Sequence, residues 1–173
     1  MSDAPEIPEA NDPFAQRVAI TIAALAVAMS LIGNQGDNAK TDAIIKTSEA
    51  ANSWSHYQAK SIKGHIDAVA AEELAVLSVA DPAKRDALVA SFAASGKVYE
   101  TDKAKLQVEA DALTAAATHS GSINDRCDLG SLLLQIAVIL CSVAILVRQH
   151  RFWILGVVVG GAGAAVGATA FFM

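Results

Sequence analysis

Cysteine is nearly missing from this chain: only Cys127 and Cys141 occur in 173 residues. They stand about 14 residues apart on what reads as one helix, too far to meet within a chain. The absence of any CxxC or Cys/His cluster excludes a structural zinc site. Both are expected to be small buried or interfacial residues, and a Cys127–Cys127 bridge between copies is the one disulfide left open. Proline is confined to Pro5, Pro8, Pro13 and Pro82. Nowhere between residues 34 and 128 do apolar and polar residues alternate as a half-buried strand requires. Charge is missing altogether from residues 18–33, 129–147 and 152–173.

Those uncharged runs dominate what is present. With 53% hydrophobic residues and a mean hydropathy of +0.38, the chain is too apolar for a soluble domain of its size. Runs of about 19 and 22 residues at 129–147 and 152–173 each suffice to cross a hydrocarbon core of roughly 30 Å. They form a transmembrane hairpin around a basic linker, residues 148–151. The run at 18–33, about 16 residues, is near the lower limit for a span. A cleaved signal peptide is its rival, and Ala26, Val27 and Ala28 offer a small-residue cleavage pattern. The leader, however, carries Asp3, Glu6, Glu9 and Asp12 against Arg17 alone, where a signal peptide wants a basic start. A retained membrane anchor is therefore expected, preceded by an acidic tail over residues 1–17 whose Pro-rich residues 1–13 are expected to be loosely ordered.

Residues 34–128 carry 10 of the 13 Lys and Arg and 14 of the 18 Asp and Glu, which marks them as the water-exposed part. Mild acidity mixed in sign argues against nucleic acid and against a polybasic lipid-binding surface. Alanine is abundant there, and the pattern is helical. Two helices are expected, from about Asn38 to Val79 and from Asp81 to about Thr118. Asp81 serves as cap and Pro82 as first helical residue of the second. Ile44, Ala51, Gln58, Ile62, Ile66 and Val69 form the apolar seam of the first helix. Leu88, Phe92, Ser95, Tyr99, Leu106 and Leu113 form that of the second. The whole is an all-α integral membrane protein with three transmembrane helices and a long antiparallel helical hairpin between the first and second.

Trp54, Tyr57, Gln58, Ala59, Lys60, Ser61, Ile62 and Lys63 resemble the signature of the bacterial membrane proteins grouped as domain of unknown function 4337. Residues 132–146, the basic linker and the aromatic start at Phe152 and Trp153 are similar to that family's paired C-terminal spans. The resemblance covers most of residues 14–173 and implies bacterial origin and a membrane-anchored helical hairpin. It supplies no activity, and the acidic leader is not part of its pattern. Read physically, Trp54, Tyr57, Gln58, Lys60 and Ile62 are a helix-packing signature. Aromatic faces also bind cations or ligands, so a binding role is the competing reading.

In the last span Gly156, Gly160, Gly163 and Gly167 recur at spacings that let membrane helices approach closely. Their partner is either a second copy or the chain's own first and second spans. Gln135 is the main polar side chain in the spans, and Ser131, Gln135 and Ser142 are candidate pore lining in an oligomer. No span carries an internal charge, which counts against proton- or ion-coupled transport. His56 and His65 lie nine apart, and no Ser/His/Asp arrangement, phosphate loop or HExxH occurs.

The expected function is a non-enzymatic, homo-oligomeric membrane scaffold or interaction protein with a coiled-coil-like extramembrane domain. No cofactor and no metal are expected, and the partners are membrane lipids and further copies. The alternatives are a pore for a small solute or ion formed by the oligomer, and an accessory subunit of a larger membrane complex. Arg148 and Arg151 favour the cytoplasm. That places a multi-pass protein in the bacterial inner membrane, with its amino terminus cytoplasmic and its hairpin periplasmic.

Overall fold

The computed structural model describes residues 12–78 and 80–172, so the acidic leader before Asp12, Val79 and Met173 lie outside the described residues. Among the described residues there are three helices and no strand: α1 (Pro13–Val76), α2 (Pro82–Val147) and α3 (His150–Thr169). All three are long and apolar enough to cross a membrane.

Each long helix opens on an Asp-Pro pair. Proline at the first helical position loses an N–H that had no intrahelical acceptor, and the preceding aspartate accepts from the free amides behind it. Asp12 Oδ1 receives the Phe14 N–H at 2.9 Å, and Asp81 Oδ1 receives the Lys84 N–H at 3.1 Å. The sequence boundaries shift accordingly. The helix expected to begin near Asn38 is part of α1 and stops at Val76, short of Val79, and neither long helix breaks at the expected membrane edge. Thr118 is followed by uninterrupted α2, with Gly121 and Asn124 inside it. The basic linker shortens to Arg148 and Gln149, because His150 and Arg151 already belong to α3. Arg148 takes a left-handed conformation (φ 50°) while its N–H reaches Ile145 O at 3.3 Å and the Gln149 N–H reaches Ala144 O at 3.2 Å. That is the Schellman end of a helix, with arginine where glycine is favoured.

The chain divides into two compact units, residues 1–41 with 120–173, and residues 42–119. In the first, α3 runs antiparallel to α2: Gly156 meets Cys141, Gly160 meets Ala137, and Arg126 donates to Thr169 at 3.3 Å. It runs parallel to α1, since Phe14 stacks on His150, Trp153 Nε1 donates to Thr21 Oγ1 at 3.2 Å, Leu25 touches Gly160 and Ile32 touches Gly167. Val18, Cys127, Leu134 and Cys141 are fully buried. Burial of Cys127 inside the protomer removes it from any Cys127–Cys127 contact between copies. The two units meet in sequence at 41/42 and 119/120, inside the expected hairpin, because Gly36 lies against Cys127 and Cys127 packs with Ile32, Leu134 and Ala170 of the apolar runs.

Candidate interaction site

In the second unit α1 and α2 run antiparallel, and the residues that hold them together lie in and around the signature segment. Lys60 Nζ donates to Asp102 Oδ2 at 2.7 Å and sits 5.3 Å from the Tyr99 ring centroid. Lys103 Nζ reciprocates at 5.5 Å from the Tyr57 ring, and it also donates to Glu100 Oε1 at 2.9 Å. Two lysine–tyrosine pairs therefore cross the seam in opposite directions, each a cation–π contact of modest strength at a half-exposed site. Trp54 meets Tyr57 edge to face, with centroids 5.4 Å apart and planes at 71°.

The Lys60 ammonium, by donating to Asp102, holds that carboxyl below the usual carboxylate range against its partial desolvation. A lowered carboxylate pKa stabilises the folded state at neutral pH, and the contribution disappears as pH falls through the lowered value. Lys103 is pushed up, mainly by its hydrogen bond to Glu100.

The α1 seam steps through Ala50, Ser53, Tyr57, Lys60 and Gly64 in alternating threes and fours. This is the face opposite to the apolar one that the sequence pattern selects. Ile44, Ile62 and Ile66 are 61%, 60% and 59% exposed, and Ala51, Gln58 and Val69 are exposed with them. The physical reason lies in α2. Its inward side chains include Phe92, Tyr99, Leu106 and Leu113, and two helices with such knobs on one side approach only if the other offers small residues. Gly64 faces Tyr99, from whose side chain a Cβ there would lie at an ordinary contact distance of 3.8 Å. On α2 the expected seam residues Phe92, Ser95, Tyr99, Leu106 and Leu113 do turn inward, whereas Leu88 is exposed.

Of the five signature residues, Trp54, Tyr57 and Lys60 are half-buried, while Gln58 and Ile62 are on the outer face. Shallow grooves flank the seam, one of about 290 Å³ lined by His56, Lys60, Asp102, Lys105 and Leu106, another of about 450 Å³ lined by Glu49, Asn52, Ser53, His56, Glu109 and Leu113. The Lys60 ammonium facing the first is already engaged by Asp102 and Tyr99. Among the described residues no three His, Cys, Asp or Glu side chains come together to hold a metal ion.

In the spans, Gly156, Gly160, Gly163 and Gly167 are all buried within the protomer. Their partners are Cys141, Ala137, Leu133 and Gly130 of α2 and Leu25 and Ile32 of α1, so this face packs against the chain's own first and second spans. Gly130 is the residue that the sequence reading missed. A Cβ there would lie 2.9 Å from the Gly163 carbonyl oxygen and the Gly167 backbone. Glycine 130 has no small neighbour four residues away on α2, so no spacing signal marks it. Gln135 and Ser142 are exposed on one flank of α2, next to Ser131, and Ser142 Oγ donates to Val138 O at 2.8 Å.

The three long apolar helices and the Trp54–Lys63 segment on the first of them accord with the resemblance, and the family match runs over residues 14–173. The chain belongs to the family described as Domain of unknown function (DUF4337). No curated protein and no solved structure matches it. The DUF4337 match takes in all of the second unit and all of the first but residues 1–13.

Proposed function

We propose that this DUF4337 protein is a non-enzymatic, homo-oligomeric scaffold or interaction protein of the bacterial inner membrane. The observation that carries the reading is the outer face of α1. Ile44, Ile62, Ile66 and Val69, with Ala51 and Gln58 between them, form a largely apolar stripe on the side of the helix turned away from α2. In a water-exposed segment such a stripe stays unburied unless another helix covers it. A second copy offers the same stripe, and a closed symmetric contact buries both at once. Mass measurement in nanodiscs tests this. The native chain is expected to hold more than one copy, and Ile62→Lys with Ile66→Lys to shift the distribution towards single copies. A native chain of one copy overturns the reading.

The orientation proposed is amino terminus cytoplasmic and residues 42–119 periplasmic. Its support is Arg17, Arg148 and Arg151 flanking the apolar spans; Lys40, Lys46 and Arg126 match them in number at the other ends, and a segment this long translocates largely regardless of its charge. An impermeant thiol reagent applied to spheroplasts is expected to label a cysteine placed at exposed Ser91 in a chain with Cys127 and Cys141 replaced. Labelling only after lysis reverses the orientation.

A second reading, a pore formed by the oligomer, draws on Ser131, Gln135 and Ser142 sharing one flank of α2. Conductance across planar bilayers distinguishes it from a scaffold.

A further inference from the structure

We infer that the α2 flank carrying Ser131, Gln135 and Ser142 is where a second copy of this chain pairs with the first inside the membrane. The inference rests on the homo-oligomeric reading above and names a contact that the reading does not require. Gln135 lies well inside the apolar run 129–147, about 9 Å along the helix from its start, yet it is exposed on the protomer surface. Its amide carries two donors and an acceptor, and hydrocarbon satisfies none of them. The Ser131 hydroxyl beside it is buried without a hydrogen-bond partner.

The outer surface of α2 is sorted. Leu129, Leu132 and Ile136 are exposed and wholly apolar, as a lipid-facing surface must be. Positions 131, 135 and 142, at steps of four and seven, fall together on one flank, which exposed Ile139 and Leu146 share. The glycine face of α3, the other surface suited to helix pairing, is already consumed within the protomer. A second copy is the occupant that the chemistry of Gln135 selects. A primary amide is self-complementary, so across a two-fold axis each donor meets the other's acceptor, and small serines on either side allow close approach.

The test uses the full chain in nanodiscs. Gln135→Leu keeps the bulk and removes the amide. The dimer dissociation constant is expected to rise roughly tenfold, equivalent to about 1.4 kcal/mol. In a chain with Cys127 and Cys141 replaced by alanine, Gln135→Cys is expected to form disulfide-linked dimers on mild oxidation. Val158→Cys, exposed on α3, is expected not to. A native oligomer with unchanged affinity in Gln135→Leu and no crosslink at 135 overturns this contact while leaving the homo-oligomeric reading intact. A native chain of one copy overturns both.

Discussion

Gly163→Leu is expected to separate α3 from α2 and to be strongly damaging to the membrane-spanning unit. A Cβ at residue 163 meets Leu133 Cβ at 2.8 Å, Gly130 O at 2.9 Å and Leu134 N at 3.1 Å. Two of these are backbone atoms, which cannot swing away as a side-chain end can, so the helices themselves must move apart. Overpacking of a tight core costs about 1–3 kcal/mol, and a leucine against backbone belongs at or above the upper end. Separation also opens the contacts of Gly130 and Gly167, since the same approach serves all three glycines. Gly161→Leu is the control, because a Cβ there has nothing within 4 Å. Thermal unfolding in detergent should show a clear loss for Gly163→Leu and little change for Gly161→Leu. Equal behaviour of the two variants would mean that the glycine face meets lipid.

Trp54→Ala is expected to destabilise the second unit by about 1–3 kcal/mol, less than the 3–5 kcal/mol of a fully buried aromatic because Trp54 is half-buried. Its edge-to-face contact positions the Tyr57 ring, and that ring faces Lys103. Truncation should therefore loosen the lysine–tyrosine crossing together with the Trp54 contact itself. Trp54→Phe retains an aromatic edge and most of the apolar volume, losing only the indole donor, and it should cost under about 1 kcal/mol. Circular dichroism of thermal unfolding, with mass measurement of the assembly, checks both. If Trp54→Phe left folding and mass untouched but abolished a conductance or ligand-binding signal, the segment would be a binding site and the packing role would fail.

Much of this architecture is legible in the sequence. Runs of uncharged residues announce helices able to cross a membrane, because length and hydropathy are properties of the chain alone. Asp81 before Pro82 announces a helix start through local stereochemistry, and the same pair at Asp12 and Pro13 opens α1. The Trp54–Lys63 segment pointed to its family by residue identity. Which face each helix presents to the other was not legible in the same way. Ile44, Ile62 and Ile66 outrank Ala50, Ser53 and Gly64 in hydropathy, yet the smaller residues form the seam, because the partner helix brings the bulk.

By itself the sequence determined the helical class, the apolar runs and the capped start at Pro82, each of which depends on residues near one another in the chain. Only the tertiary structure decided three other matters. It assigned the glycines of α3 to contacts within the protomer, it set Lys60 on Asp102 across 42 residues, and it left the Gln135 flank outward. Periodicity places a residue on a face of its helix, but what lies against that face depends on the size and charge of side chains on another helix, and that information is distributed over segments distant in sequence.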